Sequence, residues 1–421
     1  MTTKKELLAL PKREIIRMYL ALEERVEKLE KLFKQFDNAH TPSSKKRKKS
    51  NKPQKDRFPG KPKGGNGGGL KMPPADQSVE HSLEECPDCG DEFGDSTYSI
   101  SQRQLDLPPK MAICTEHVIN HYHCERCNKD VAATQINGRY GHHFKSYVAS
   151  LKERGLSCQE LSLHMKELGF TSFSATTVIA IMVFFASILE PFRNEMLKTL
   201  RQSEYVYMDE TGFRKDGQNG YIWGFFTKSI TLLSAELTRS SKVAKNILGN
   251  FAGIGVTDGY VGYEFLQQRQ RCWSHLLREF KELTEKYEEI KPMYLRAKAL
   301  YQQLTEYVDM IPSDKIKEEI IFELNDIVVC LKAHQFGRKL AKLIHNGGND
   351  WFTAWNFPGV QFQNNLAERG LRRSVMLRKR IGCYRNDVGK NWINICMSVM
   401  QTWRMQGINI LQSLNTFANS T

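Results

Sequence analysis

The chain begins with an amphipathic heptad pattern. Apolar residues are spaced seven apart in two interleaved sets, Ile15, Leu22, Leu29, Phe36 and Tyr19, Val26, Phe33. These are the a and d positions of a coiled coil, so residues 1–40 are predicted to form a coiled-coil helix that supports self-association. Three heptads are short, and a helix that packs within its own chain is the alternative.

A second helical pattern covers residues 136–200. Residues 144–154 are predicted to be helical, with Gly155 ending that helix. The sequence of residues 157–160 matches a capping box for a second helix that ends near Gly169, and Ser174 is placed to cap a long third helix. This order is compatible with a helix-turn-helix reader of DNA and equally with a small helical bundle.

From residue 204 the apolar pattern becomes that of strands. Residues 204–209, 221–227 and 230–237 are predicted strands, with a turn at 215–220. A helix at 240–250 and a fourth buried strand at 253–258 follow. This is the element order of a ribonuclease H-like α/β core, in which the first and fourth strands lie side by side. Asp209 and Asp258 would then face each other at one end of the sheet.

Later residues again favour helices. We expect a helical insertion at about 276–357 within a catalytic domain of residues 201–385, and a helical tail at 386–421. Trp351 and Trp355 would either pack in the core or stack against DNA bases. The longest apolar run, 178–189, is shorter than the roughly 20 residues that span a bilayer. The amino terminus lacks the apolar core of a signal peptide, so a cytosolic protein is expected.

Charge is concentrated in one segment. Residues 45–71 hold eleven Lys and Arg against one Asp, which is ten of the formal net charge of +14. A flexible basic linker at 41–80 is therefore predicted to neutralise DNA phosphates without reading sequence. Its first basic cluster is Lys45, Lys46, Arg47, Lys48 and Lys49. A solvated tether is the alternative, because glycines follow closely.

Two CxxC pairs indicate a structural zinc module at residues 81–135. The pairs are Cys86 with Cys89 and Cys124 with Cys127, separated by 34 residues. Four thiolates would complete a tetrahedral zinc site. Four unligated thiols are the alternative reading. The nearby Cys114, His121 and His123 break the paired spacing and are not expected to be ligands.

Three acidic residues are the candidate chemistry of the chain. Asp209 and Asp258 end short apolar runs, whereas Glu368 lies on a predicted helix. Three such carboxylates can hold two Mg²⁺ or Mn²⁺ ions for phosphodiester displacement, with Asp209 bridging both ions and the other two each completing one. Glu210 is expected to support the site or the fold. Acids at strand ends and helix starts are also common caps.

Basic residues after Glu368 are candidate DNA contacts. Arg372 lies four residues later, on the same helix face, where it can hold a phosphate. Lys379 and Arg380 can act in the same way, although solvated charge is their default reading. His275 would position DNA or the nucleophile, or else pack structurally beside Trp273.

The chain resembles the transposases of insertion sequences of family 66, within the wider DDE group. The shared motifs are Asp209-Glu-Thr, Thr257-Asp-Gly-Tyr, Cys272-Trp-Ser-His275 followed by Arg278-Glu-Phe280, and Asn364-Asn-Leu-Ala-Glu-Arg-Gly-Leu-Arg372. The resemblance extends to the order of modules and spans nearly the whole chain. It implies Asp209, Asp258 and Glu368 as a catalytic triad that cleaves element ends and joins them to target DNA. It also implies accessory proteins of the same element, and the coiled coil favours a homo-oligomer.

The motifs depart from the family pattern at three positions. Leu277 stands where an arginine is common, and Gly370 and Arg373 stand where alanine and proline are usual. None of these changes removes an acid, but they affect residues beside the candidate site. Gly370 is also expected to lower local helix stability by roughly 1 kcal/mol relative to alanine.

Two other functions remain compatible with the sequence. One is a transposase-derived protein that binds DNA without cutting it, and the other is a ribonuclease H-like nuclease that hydrolyses nucleic acid. The intact acids argue against the first. Detection of a strand-transfer product would separate a transposase from the second.

Overall fold

The computed structural model describes residues 138–419 continuously, together with residues 115, 116, 118, 121–124, 126 and 128–132. All of these belong to one compact unit, Asp106–Thr421. The predicted coiled coil and basic linker lie outside the described residues, as do Cys86, Cys89 and Cys127. Of the four predicted zinc ligands, the backbone of Cys124 alone is described.

A short hairpin precedes the helical region. Strand β1, His121–Cys124, pairs antiparallel with β2, Lys129–Ala132, and Cys124 lies opposite Lys129. The backbone of Asn128 has φ 49°, which is the left-handed conformation of a tight turn. Cys124 thus ends a strand, at the position where the second CxxC pair begins.

The predicted helical region is confirmed. It consists of α1, His142–Glu153, α2, Cys158–Glu167, and α3, Ala175–Arg201. The capping box of α2 is complete, because the Ser157 side chain accepts a hydrogen bond from Glu160 N and the Glu160 carboxylate accepts one from Ser157 N. Ser174 caps α3 by accepting from Thr177 N. Gly155, with φ 104°, supplies the left-handed backbone between α1 and α2.

The third helix, α3, is 27 residues long and, by length and composition alone, could cross a membrane. One such helix is weak evidence, because core helices of soluble proteins pass the same test. Phe185, Leu189 and Leu200 are fully buried, and α3 packs on α1, α2 and residues 392–405. These contacts bury one face of α3, so that 33% of its most apolar 18-residue window lies inside the protein.

A five-stranded mixed sheet forms the centre of the unit. Its strands are β3, Tyr205–Lys215, β4, Gln218–Phe226, β5, Thr231–Glu236, β6, Ile254–Thr257, and β7, Gln268–Arg271. They are arranged in the order β5-β4-β3-β6-β7, with β6 and β7 parallel to β3. The predicted adjacency of the first and fourth strands is therefore confirmed as β3 beside β6.

Two details of the sheet differ from the sequence expectation. Strand β3 continues to Lys215, so Asp209 lies within it and does not end it. The long hairpin with β4 extends it, because Asp216 and Gly217 both have positive φ, as a type I′ turn requires. Strand β7 was not predicted, because its sequence Gln-Arg-Gln-Arg has no apolar residue.

Strand β7 is nevertheless buried. Arg269 donates to Asp350 at 2.7 Å, and Gln270 Nε2 donates to the backbone of Arg271 and Trp351. Arg269 and Gln270 are thus hydrogen-bonded inside the protein, which permits their burial. This pairing comes from residues about 80 positions later, so the local pattern gave no strand signal.

Two further groups of helices complete the unit. One group comprises α4, Ser241–Leu248, α5, Trp273–Thr284, α6, Lys291–Glu306, α7, Asp314–Ala333, and α8, Arg338–Gly347. In the run from α5 to α8, each helix packs on the next one, and α8 also packs on α5. Trp351 and Trp355 follow α8 and are buried in the core, which favours the packing role over base stacking.

The second group of helices follows residue 364. It comprises α9, Asn365–Ile381, α10, Asp387–Asn391, a π-helical segment, Trp392–Met397, α11, Ser398–Met405, and α12, Ile410–Asn419. Helix α9 packs on β3 and β4, whereas the π-helical segment and α11 pack on β5. The acid-bearing helix α9 is thereby held against the acid-bearing strand β3.

Polar side chains of this group cover the edge strand β5. Asn394, Ser398 and Thr402 are spaced four residues apart and accept hydrogen bonds from the backbone N–H groups of Ala235, Leu233 and Thr231. Alternate N–H groups of an edge strand point away from the sheet and need partners. The helical tail therefore closes this edge of the sheet as well as packing on it.

Gly370 has a packing role that the sequence did not reveal. A Cβ atom at this position would lie 2.1 Å from the ring of Phe226 on β4. The glycine thus allows α9 to approach the sheet closely.

We expect Gly370→Ala to destabilise the protein by about 1–3 kcal/mol, because overpacking exceeds the gain in helix propensity. Chemical denaturation would measure this, with Arg369→Ala as the control at the adjacent exposed position. A Gly370→Ala variant as stable as the wild type would contradict the expectation.

Candidate active site

Asp209 and Asp258 are brought together by the parallel pairing of β3 and β6. The last paired residues are Tyr207 and Val256. Asp209 and Asp258 each follow this last pair by two residues, and the charge of Asp258 acts on Asp209. Each aspartate also accepts a backbone hydrogen bond, Asp209 from Glu210 N and Asp258 from Tyr260 N, both at 2.9 Å. These bonds hold the two carboxylates at one end of the β3–β6 pair.

Glu368 reaches the site from the first turn of α9. Its Oε1 atom lies 3.6 Å from His275 Nε2 and 3.6 Å from Arg278 Nη2. Oε1 is buried and makes no hydrogen bond with any described residue. The carboxylate is therefore only loosely contacted by two side chains of α5, which leaves it able to accept another partner.

The negative charges of the neighbouring acids all act on Asp209. Burial raises the pKa of Asp209 to about 7, and the negative charges of Glu210, Asp258 and Glu368 contribute to the rise. The backbone hydrogen bond from Glu210 opposes it. The three predicted acids thus share one electrostatic environment, in which negative charge is not fully neutralised by the protein.

The three acids, as placed, are not close enough to one another to coordinate one metal ion. Within the described residues, no three His, Cys, Asp or Glu side chains are grouped closely enough to hold a metal ion as they stand. Three carboxylates are still the donor set that Mg²⁺ and Mn²⁺ prefer. The arrangement is therefore a neighbourhood of acids from β3, α9 and the residue after β6, whose carboxylate oxygens are of the donor type that a divalent cation takes.

Glu210, the residue after Asp209, is held by contacts with Arg239 and Tyr263. Its side chain is 2% exposed, accepts a hydrogen bond from Tyr263 at 2.7 Å and forms an ion pair with Arg239 at 2.5 Å. The Arg239 guanidinium in turn lies 3.9 Å from the ring centre of Tyr260. These contacts occupy Glu210 and agree with the supporting role predicted for it.

The predicted phosphate contacts lie along α9. Arg372 and Lys379 are exposed, while Arg380 forms an ion pair with Glu160 at 3.1 Å and remains half-exposed. Arg373 serves the fold instead, because it donates to the fully buried Glu153 at 2.7 Å. The unusual Arg373 therefore joins α9 to α1.

His275 and its surroundings are only partly explained by the sequence. The nitrogen Nδ1 of His275 is buried and has no partner among the described residues, while Nε2 faces Glu368. The neighbouring Trp273 is fully buried and donates to the backbone of Trp351. Trp273 is therefore the residue that packs in the core, whereas His275 faces Glu368.

Sequence reasoning missed two residues that touch the site. Asn364 is fully buried and donates from Nδ2 to Met208 O, directly before Asp209. Cys272 accepts a hydrogen bond from Asn364 N at 3.1 Å. Both residues stand inside the motifs of the resemblance, but their partners are 92 and 156 positions apart in sequence, so no local signal indicates the contacts.

The site and fold define an α/β protein with an acidic cluster beside a basic helix. The family model described as "Transposase IS66 family" matches residues 137–391, which is more than half of the chain. A second model, described as "zinc-finger binding domain of transposase IS66", matches residues 84–128. The chain therefore belongs to the IS66 family of transposases. A search of curated proteins found no match.

The second match supports the zinc prediction. Residues 84–128 include all four cysteines of the two CxxC pairs. A structural zinc in this module is thereby supported, while the assignment of individual ligands stays a prediction. The hairpin of β1 and β2 carries the backbone of Cys124 within this range.

Proposed function

We propose that this transposase binds the ends of its insertion sequence, cleaves the DNA there and transfers the freed strand into target DNA. The proposal rests on one observation above all: Asp209, Asp258 and Glu368 come from three separate elements into one negatively charged neighbourhood. Family membership supports the same reaction class, that of a DNA-cleaving enzyme.

The catalytic core would be ribonuclease H-like. Counting from β3, the sheet has the strand order 3-2-1-4-5, with the first three strands antiparallel and the fourth beside the first. The acids on the first and fourth strands are then adjacent, as this core requires. We retain 201–385 as the catalytic domain, 276–357 as its helical insertion and 386–421 as the tail.

Asp209, Asp258 and Glu368 would hold Mg²⁺ or Mn²⁺. The fit is supported by the raised pKa of Asp209 and by the buried, unbonded Oε1 of Glu368, both of which favour an added positive charge. When bound, two such ions activate an attacking oxygen and stabilise the leaving oxygen of a phosphodiester.

Other side chains would orient the DNA. Arg372 and Lys379 lie on the exposed side of α9, and Arg278 lies beside Glu368. Arginine binds phosphate through two parallel hydrogen bonds, which fixes the strand as well as attracting it. Arg380, and the linker residues Lys45, Lys46, Arg47, Lys48 and Lys49, would add contacts that do not read sequence.

The remaining modules would organise the complex. The helical region 136–200 would contact element ends, the zinc module 81–135 would support it, and the coiled coil 1–40 would join copies of the chain. Accessory proteins of the same element are further proposed partners. The protein would act in the cytoplasm of a prokaryotic cell, at the nucleoid when bound to DNA.

The direct test is magnesium-dependent cleavage and joining of an element-end duplex by the purified protein. We expect cleaved and joined products from the wild type. Asp258→Asn and Glu368→Gln should lose both products while still binding the duplex, because each removes one charge of the cluster without changing its size. Asn394→Ala, which removes a partly buried hydrogen bond at the edge strand β5, is the control for a structural change away from the acids.

The outcomes separate the proposed function from its alternatives. Cleavage without joining would indicate a nuclease. End binding with no cleavage, even when accessory proteins of the element are added, would indicate a DNA-binding descendant and would overturn the proposed reaction.

A further inference from the structure

Asn364 occupies an unusual position at the start of the acid-bearing helix. It is the N-cap residue of α9, where asparagine side chains commonly bond to the first N–H groups of the helix. Here the side chain makes no capping bond. Its Nδ2 donates instead to Met208 O at 2.7 Å, on the strand that carries Asp209. The residue thus ties α9 to β3 one position before the first acid.

The backbone of Asn364 makes two further connections. Its N–H donates to Cys272 Sγ at 3.1 Å, and its carbonyl accepts from Glu368 N at 3.1 Å, the first hydrogen bond of α9. Cys272 then donates from its own N–H to Thr257 O at 2.9 Å. Thr257 directly precedes Asp258.

These hydrogen bonds form one connected path. We call Asn364 and Cys272, which are 0% and 1% exposed, the central junction. The junction bonds to the residue before Asp209, to the residue before Asp258 and to Glu368 itself. Three acids from distant parts of the chain are thereby connected through two buried residues.

The loop before α9 is held at further points. Gln361 N donates to the Tyr207 hydroxyl at 2.8 Å, and Trp273 N donates to Phe362 O at 2.9 Å. These bonds attach the loop to β3 and α5 independently of the junction. Loss of the Asn364 side chain would therefore loosen the relation of α9 to β3 without detaching the loop.

The side-chain amide of Asn364 is only partly hydrogen-bonded in this orientation. Its Oδ1 atom is buried and has no partner among the described residues, which is unfavourable for a polar atom. A capping orientation would satisfy a helix N–H. The observed orientation instead connects two acid-bearing elements.

We propose that Asn364 and Cys272 are positioning residues that set the spacing of the three acids and so determine the affinity of the acid cluster for a divalent cation. This inference rests on the proposed function. The two residues touch neither ion nor DNA; they act through the backbone on either side of the acids. Outer residues that orient metal ligands commonly change metal affinity 10–100-fold when replaced, which sets the expected size of the effect.

The test measures Mn²⁺ binding to the zinc-loaded full-length protein at pH 8 by calorimetry. We expect Asn364→Ala to weaken the Mn²⁺ affinity by about tenfold or more, and to raise by a similar factor the Mn²⁺ concentration that half-saturates cleavage. Asn394→Ala removes a comparable side-chain bond, to Ala235 N at 2.7 Å, and should bind Mn²⁺ as the wild type does.

A second pair of variants covers the case in which Asn364→Ala fails to fold. Cys272→Ser keeps an acceptor for Asn364 N–H and should retain Mn²⁺ affinity, whereas Cys272→Ala removes the acceptor and should lose it. Thermal unfolding without Mn²⁺ would show whether the two Cys272 variants are equally stable. A binding difference at equal stability supports positioning over a general structural role.

The outcomes distinguish the two proposals. Wild-type Mn²⁺ affinity in Asn364→Ala and in Cys272→Ala would overturn the junction while leaving the proposed function intact. Absence of Mn²⁺ binding at the acids in the wild-type protein, shown by identical titrations of wild type and Asp209→Asn, would overturn the proposed function and the junction with it.

Discussion

Replacement of Asp209 by asparagine is expected to stabilise the zinc-loaded protein at pH 8 when no Mg²⁺ or Mn²⁺ is added, while abolishing DNA cleavage. The pKa of Asp209 is raised from 3.8 to about 7, first by burial and then by Glu210, Asp258 and Glu368. One pKa unit corresponds to about 1.4 kcal/mol, so holding this carboxylate ionised in the folded protein costs up to about 4 kcal/mol. Asparagine has the same shape and no charge.

The pH dependence has a definite sign. Between pH 4 and pH 7 the unfolded chain has already lost the Asp209 proton, whereas the folded chain retains it. The stability contributed by this group therefore falls as pH rises through that window, and the full cost is present above about pH 7. The advantage of Asp209→Asn should be small at pH 4 and largest at pH 8.

Denaturant unfolding of zinc-loaded wild type and Asp209→Asn at several pH values would measure the difference. No chelator is used, so that the zinc module stays loaded. Added Mg²⁺ should reduce the advantage of the variant, because the cation stabilises the ionised wild-type site. An advantage that does not change with pH would contradict the charge explanation.

Removal of Arg373 and Arg404 together is expected to destabilise the protein by about 3–5 kcal/mol, the usual effect of leaving a buried charge unpaired. Glu153, at the end of α1, is 0% exposed in its side chain. It accepts hydrogen bonds from Arg373 Nη1 at 2.7 Å and Arg404 Nη2 at 2.5 Å. The three residues connect the helical region to α9 and α11.

The matched test is a triple replacement. Arg373→Met with Arg404→Met should show the full loss in denaturant unfolding, and adding Glu153→Met should recover most of it, because apolar side chains can replace a buried ion pair at little cost. Lys198→Met, at an exposed ion pair with Glu195, is the control and should change stability by less than about 1 kcal/mol. A double variant with wild-type stability would show that water reaches Glu153.

Local features of the structure were largely predictable from sequence. Helix boundaries at Ser157 and Ser174 followed from capping chemistry, and the β3–β4 turn from its Asp-Gly sequence. These signals depend on residues a few positions apart. The sequence did not predict strand β7, because its signal is not local. Its polar side chains are buried by pairing with Asp350 and with the backbone near Trp351.

The departures from the family pattern needed the tertiary structure. Gly370 was expected only to weaken a helix, but it provides space for Phe226. Arg373, which stands where the family pattern has proline, compensates the buried charge of Glu153. In each case the partner lies more than 140 residues away in sequence, which no local pattern can indicate.

By itself, the sequence determined the class of the protein, the family, and the identity of the three candidate acids, because these depend on residue types and short motifs. The tertiary structure decided how the acids meet. The parallel pairing of β3 with β6 puts Asp209 and Asp258 at the same end of the sheet, and the packing of α9 on the sheet, through Gly370, places Glu368 where its charge acts on Asp209. Such placement depends on contacts between distant segments, whose energies appear only when the chain is folded.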